Sequence, residues 1–524
     1  MSLDKSAGKK YLWLGICFGS LFSFSFVIGK SIQEEWWGHT QGIQTFFRFG
    51  RYFLITETVF VPLFILLYFL CMWITGRKKK KFSGRELGFL PMYMIMLLPY
   101  LICFLVYFPG SMSYDSWYIT LQALGLIGFD NHHPFLHTLI WSIFAHMDEW
   151  LGIEQIGIIL YTAVQLIIMT AIYTYVSIWL GRRLEGLGRW IVFLYYICNP
   201  VFHIFTLLLT KDVFFSGCFL LLSIAVTEYL EKELSGNDDK ACQRKIMILG
   251  LLCCLLRNNM IYVMVIFGVV LFFVFKKNVK QCRGIILAAG LFFFISNIVY
   301  PSVGVAKGSV KEMLSVPLSQ IAAVYHKDMN KLEESDKELI KKYIPDVENY
   351  NRFFADPIKG NFNDRAFEED KGEFLHLWWN LFKDYPAEYV KAFLSLNLPY
   401  WYPPMDSVRE YIETDNYSQD YPVERLNLLP SLYNYYEKVS ENQAAFMHLP
   451  VFRQLYAIGV PIWIFLFFLF WFAANKRKEV ILAIMPCILL WMTYLLGPVS
   501  SFRYVEPLLL TYPVWFTLGL ERKI

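Results

Sequence analysis

Two short runs of the chain place groups able to do acid–base or metal chemistry close together. Pro109-Gly110-Ser111-Met112-Ser113-Tyr114-Asp115-Ser116 is followed by Asp130-Asn131-His132-His133-Pro134. Carboxylate and imidazole are the usual general acid/base groups and also metal ligands. No Lys or Arg occurs from Pro109 to Glu154, so Asp115 has no obvious ion-pair partner in its own loop. The plain alternative is a polar loop in which Asp115 caps a helix.

Further ionisable groups stand where burial makes them costly. Lys211-Asp212 joins two apolar runs, His203 lies inside the run before it, and Arg257-Asn258-Asn259 interrupts another. Arg503 and Glu506 flank the start of the last apolar run. Charged groups at or inside a bilayer are expensive and often functional, although a Lys or Arg near a helix end also reaches the headgroups by snorkelling. Arg257 resists that explanation because it coincides with a helix break. There is no Walker motif, no Gly-rich dinucleotide loop and no Cys-x-x-Cys pair, and nothing points to nucleic acid.

The elements that must position these groups are membrane helices. The chain has 524 residues, 56% hydrophobic and 18% charged, against about a quarter charged in soluble domains. Apolar runs at 11–30, 52–75, 88–108, 154–180, 189–209, 213–230, 246–257, 259–275, 284–300, 451–473, 479–497 and 504–520 predict an all-α polytopic membrane protein of about twelve spans. The run 246–257 is short for a span, and 246–275 reads as a broken hairpin with its tip near the outer face. Basic clusters at Lys5/Lys9/Lys10, Arg77–Lys81, Arg182/Arg183/Arg189, Arg244/Lys245, Lys276–Arg283, Lys476–Lys478 and Arg522/Lys523 place both termini and the short basic loops in the cytoplasm. Residues 1–300 then form a transmembrane module whose external loop, 109–153, carries Asp115. Pro134–Met147 is a juxtamembrane helix within it. Residues 301–450 are polar and form an α-rich extracytoplasmic domain, and 451–524 supply the last spans. Within that domain, Leu398–Pro404 is an aromatic, proline-rich turn suited to stacking on sugars or to a headgroup-level belt.

The order of Tyr114-Asp115-Ser116, His132-His133-Pro134, the run Ile156–Arg183, Lys211-Asp212 and Leu255-Leu256-Arg257-Asn258 resembles the GT-C superfamily of membrane glycosyltransferases. It also resembles an uncharacterised bacterial multi-spanning family. The resemblance spans roughly 92–275. Two spans precede the module, and one Asp stands where the superfamily carries an acidic pair. It implies an enzyme of a bacterial plasma membrane that moves a sugar, with inversion, from a polyprenyl-phosphate donor to a glycan or other cell-envelope acceptor. Asp115 would be the general base. Lys211, Asp212, Arg257, Asn258, Arg503, His132 and His133 would bind substrate. A divalent ion, Mg or Mn, on Asp115, Asp130 and His132 ranks lower, because hard cations prefer more carboxylates. The rival readings are a multi-pass transporter or lipid-linked glycan flippase, a non-catalytic assembly or receptor protein, and an oligosaccharide polymerase or ligase.

Overall fold

A computed structural model describes residues 5–36, 42–76, 88–184, 186–236, 239–405, 411–415 and 420–521. The basic runs 77–81 and 522–523 lie outside the described residues. Among the described residues the regular structure is helical, with only isolated β-bridges.

The first half holds α1 (Lys5–Gln33), α2 (Gly42–Gly76), α3 (Phe89–Val106), α4 (Ser116–Ala123), α5 (Phe135–Ala145), α6 (Ile156–Gly181), α7 (Leu187–Ile197), α8 (Pro200–Phe205), α9 (Lys211–Glu233), α10 (Lys240–Leu256), α11 (Met260–Val274) and α12 (Arg283–Phe294). A π-turn carries α12 on to Ser302. The second half holds α13 (Ser315–Asp328), α14 (Glu334–Tyr343), α15 (Lys371–Asp384), α16 (Pro386–Leu396), α17 (Pro430–Ser440), α18 (Pro461–Ala474), α19 (Lys478–Tyr494), α20 (Phe502–Leu510) and α21 (Tyr512–Leu520). Among the described residues six segments are long and apolar enough to cross a membrane: Gly8–Gln33, Gly42–Gly76, Phe89–Val106, Ile156–Gly181, Lys211–Glu233 and Val279–Ser302. The protein is thus an all-α membrane protein. Burial of the six segments ranges from 6% of the apolar stretch of α2, as expected of a helix whose solvent is hydrocarbon, to 78% of that of α9, which packs inside the bundle. Gly15 lets α1 and α2 approach closely, since a Cβ there would fall 2.5 Å from the Ile65 backbone.

Four expected spans differ in detail. The long helix of 451–473 starts only at Pro461, and 504–520 is divided at Thr511 between α20 and α21. The run 189–209 is not one helix: Asn199 accepts a hydrogen bond from the Val201 amide and Pro200 opens α8, so the chain restarts there. His203 is buried in that short helix and hydrogen-bonds the Ile197 carbonyl that the break leaves open. The run 246–257 is not short either. Asp239 caps α10, which adds a polar first turn and brings the helix to 17 residues.

The polar region beyond 301 builds its own apolar core. Leu318, Ile321, Tyr343, Phe374 and Tyr389 are buried together, away from the main bundle core. The aromatic turn packs inward and is not offered to sugars: Tyr400 and Tyr402 are buried, and the Tyr400 and Trp401 carbonyls accept from Trp491 and Trp463. Basic residues gather at the other end of the bundle. Arg183 pairs with Glu231 and Glu521, Arg477 reaches Glu521, and Lys10 donates to the Ala474 carbonyl.

Candidate functional site

The loop after α3 is pinned against the hinge between α8 and α9. Gly110 adopts a positive φ of 144°, and a Cβ there would strike Thr162 of α6, so this close turn needs glycine. The Leu209 amide donates to the Ser111 carbonyl at 2.9 Å. Tyr114 then takes the left-handed region, φ 56°, an uncommon and costly conformation for a tyrosine. It is held there from both sides: its amide donates to Glu413 Oε2 at 3.0 Å, and its hydroxyl accepts from the Glu413 amide at 3.1 Å.

This turn sets Asp115 at the start of α4, but its side chain makes no capping bond. The carboxylate faces two cations. Lys211 Nζ donates to Oδ2 at 2.9 Å, Arg503 Nη1 donates to the same oxygen at 2.8 Å, and Arg503 Nη2 lies 3.5 Å from Oδ1. The expectation that Asp115 lacks an ion-pair partner is therefore corrected. Its partners come from α9 and α20, distant in sequence. Thr210 caps α9 and so sets Lys211 on its first turn.

His133 joins the cluster through Lys211, whose Nζ lies 3.1 Å from Nδ1. Because Nδ1 accepts from an ammonium, the ring is neutral and carries its proton on Nε2. Nδ1 cannot then also donate to Asp115 Oδ2, 3.6 Å away. Burial and the Lys211 charge hold the His133 pKa well below its ordinary value. Burial alone would raise the Asp115 carboxyl, but Arg503 and Lys211 hold it well below the usual carboxylate range.

A second layer lies behind. Arg257 ends α10 in extended backbone. Its Nη1 is 3.4 Å from Asp212 Oδ1, and its guanidinium sits against Phe215, Tyr494 and Tyr504, 5.3, 5.1 and 4.8 Å from the ring centroids. Tyr504 also meets Arg503, at 4.9 Å, and its hydroxyl lies 3.0 Å from Arg503 Nη2. One ring thus serves two guanidiniums, an arrangement that keeps buried arginines charged without neutralising them. Glu506, one turn along α20, is fully buried.

Asn258 acts as a tie. Its Nδ2 donates to the Asn131 carbonyl at 3.1 Å, holding the histidine loop to α10. His132 stands beside the His133 ring, 4.5 Å between centroids. Asp130 is spent on the Tyr118 hydroxyl and the His132 amide. Asp148, also in the loop, caps α6 through the Gln155 and Gly157 amides. The set Asp115, Asp130 and His132 does not fit a divalent ion as it stands: the Asp115 oxygens face two cations, and Asp130 is occupied. No group of three His, Cys, Asp or Glu with metal-holding spacing occurs among the described residues.

Asp115, His133, Lys211 and Arg503 therefore meet directly, with Asp212 and Arg257 behind them and His132 and Asn258 at the rim. Sequence reasoning quoted Tyr114 within the Tyr114-Asp115-Ser116 motif but gave it no role, and it missed Tyr504, Tyr494 and Glu413. The signal for Tyr504 was present, since it adjoins Arg503; Glu413 offered none.

Fold and site together define a helical membrane protein with a partly buried ion cluster where several membrane helices end. The chain belongs to a family of unknown function (DUF6020), matched over residues 127–522. That match takes in Lys211, Arg257 and Arg503 and begins after Asp115. No curated protein and no solved structure matches it.

Proposed function

We propose that this protein is a GT-C-like glycosyltransferase of a bacterial plasma membrane. It crosses the bilayer about twelve times with both ends cytoplasmic, and it works at the outer face. The observation that carries this is the meeting of one partly exposed carboxylate, Asp115, with Lys211 and Arg503. The gathering of Lys10, Arg183 and Arg477 at the opposite end supports the orientation.

The donor is a polyprenyl-phosphate sugar and the acceptor a hydroxyl of a cell-envelope glycan. The acceptor oxygen attacks the anomeric carbon, and the bond from that carbon to the phosphate oxygen breaks. The electron pair leaves with the lipid phosphate, and the hydroxyl proton passes to Asp115. Lys211 and Arg503, backed by Arg257, take up the negative charge that develops on the phosphate. A carboxylate clamped by two cations is a weak base. The incoming phosphate competes for the same two cations, so Asp115 gains basicity when the donor is bound. His132 and Asn258 shape the rim that binds the substrates, with His133 at the cluster and Asp212 behind it completing the binding site.

The test is transfer of radiolabelled sugar from polyprenyl-phosphate donors by the purified protein, beside Asp115→Asn. Loss of about 10²–10⁴-fold in the variant is expected for removal of a general base. Equal transfer by both proteins would remove Asp115 from the chemistry. Absence of transfer together with lipid or glycan flux would favour the transporter reading.

A further inference from the structure

Glu506 takes no part in the ion cluster or in the chemistry above. It lies one turn after Arg503 on α20 and is fully buried. Neither of its carboxyl oxygens accepts a hydrogen bond, so no Lys or Arg reaches it. An ionised carboxylate buried without donors is very costly, and an ionisable group held inside a membrane bundle marks a function.

Its neighbours have no hydrogen to give. On α9, which packs against α20, Ser216 adjoins the carboxyl and Asp212 lies one turn before Ser216. The Ser216 hydroxyl donates to the Asp212 carbonyl at 2.8 Å, so what it offers Glu506 is a lone pair. Asp212 offers only negative charge. Four tyrosines also stand near: Tyr100 of α3, Tyr173 of α6, and Tyr195 and Tyr196 of α7. Tyr100 donates to the Tyr196 carbonyl at 2.8 Å, Tyr195 to the Leu509 carbonyl at 2.9 Å and Tyr196 to the Leu510 carbonyl at 2.7 Å. Tyr173 pairs with Thr206 at 3.4 Å. Tyr494 of α19 is near as well, but its hydroxyl makes no hydrogen bond to the carboxyl. Such surroundings suit a group that brings its own hydrogen.

We infer that Glu506 is a neutral carboxylic acid whose O–H donates to Ser216 Oγ, and that this bond latches α20 to α9. Those two helices carry Arg503 and Lys211 on their first turns, so the latch positions both cations on Asp115. Glu506 is thus a positioning residue and touches no reacting atom. Its neutrality has a second consequence. The charged side chains in contact around Asp115 and behind it are Lys211, Arg257 and Arg503 against Asp115 and Asp212, which leaves one positive charge over. An ionised Glu506 would cancel that charge, whereas the neutral acid leaves it to attract an anionic ligand. None of this depends on sugar transfer, because any anion that binds the cluster meets the same surplus.

The test compares infrared spectra of the full chain at pH 7 in dodecylmaltoside, a detergent with no carbonyl of its own. Wild type should show a carboxylic-acid carbonyl band, apart from the ionised carboxylates, that Glu506→Gln lacks. Ser216→Ala takes away the acceptor, so it should keep the band and move it to higher frequency. Hydrogen–deuterium exchange reads the latch. Glu506→Ala should raise exchange at least threefold in both 209–214 and 501–506. Glu506→Gln, whose amide can still donate to Ser216, should stay within twofold of wild type. If Glu506→Ala fails to fold, Ser216→Ala takes its place in the exchange measurement. Spectra in which Glu506→Gln loses no acid band would show an ionised carboxylate and overturn the inference. A band unmoved by Ser216→Ala would overturn the bond to Ser216. Exchange unchanged in the latch variant, or raised as far in Glu506→Gln as in Glu506→Ala, would overturn the latch, since a neutral donor at 506 would then hold nothing.

Discussion

Arg503 and Asp115 are 388 positions apart in the chain, and their side chains meet at 2.8 Å. The contact ties the loop after α3 to the first turn of α20, so it fixes the site and braces the fold together. Arg503 is nearly buried, and removing one member of such a pair leaves the other charge uncompensated, at about 3–5 kcal/mol. Arg503→Ala is expected to lower stability by that order. The double variant with Asp115→Ala should cost less than the sum of the two single ones. Thermal unfolding in detergent across the four proteins measures the coupling, and strict additivity would show that the contact contributes nothing.

At the ion cluster the pH dependence of stability has two sources, Asp115 and His133. Asp115 has a folded pKa well below its ordinary value. Its contribution is therefore fully present above the unfolded value of about 3.9 and is lost only as pH falls through the folded pKa. His133 is also depressed in the folded protein. Below the unfolded value of about 6.5, the unfolded chain binds a proton that the folded chain refuses, so stability falls as pH falls from there. The wild type should lose unfolding temperature between pH 6.5 and 5, and His133→Gln should reduce that slope, leaving the part that comes from His137, which burial also depresses. An equal slope in both proteins would place the titrating group elsewhere.

Lys211, Arg257 and Arg503 were legible from cost, because charge sat at the ends of or inside apolar runs, and Asp115 from its place near His132-His133 in a loop without Lys or Arg. Their pairing was not legible. Nothing in a loop free of Lys and Arg reveals that α9 and α20 deliver cations to it, because that depends on packing between distant helices. Helix positions followed hydropathy well, whereas breaks followed capping. Asn199-Pro200 splits one expected span, and Asp239 lengthens α10 with a polar turn that hydropathy does not count. Leu398–Pro404 reads the same whether it faces sugar or protein, and only the Trp463 and Trp491 hydrogen bonds decide for protein.

Tyr504 separates ring from hydroxyl in its role. The ring lies against both Arg257 and Arg503, while the hydroxyl touches Arg503 alone. Desolvated cation–π contacts are worth about 2 kcal/mol, and a hydrogen bond to a charged group about 1.5–3 kcal/mol. Tyr504→Phe should keep the ring contacts and lose only the second contribution. Tyr504→Leu should lose both and show the larger drop in unfolding temperature. Equal drops would mean that the ring faces matter little to the two arginines.

Glu413 carries the last prediction. Tyr114 holds its left-handed backbone one residue before Asp115, and both of its contacts to Glu413 act on that turn. The neighbouring backbone is held as well, since Arg425 donates to the Thr414 carbonyl and lies 3.3 Å from Ser111 Oγ. Residues 411–415 therefore form a strap across the Asp115 loop, fastened by Glu413 on one side and Arg425 on the other. A costly conformation persists only where its surroundings over-determine it, so loosening the strap should release the turn. Glu413→Ala removes the acceptor for the Tyr114 amide but keeps the Glu413 position's own amide bond to the Tyr114 hydroxyl. Tyr114→Phe does the converse. Each variant should raise hydrogen–deuterium exchange in 411–415 and in 111–116 together, and the double variant should raise it further, while exchange in the 318–389 core stays unchanged. Exchange that rises in 411–415 but not in 111–116 would show that the loop holds its shape without the strap, and that Glu413 only rests on it.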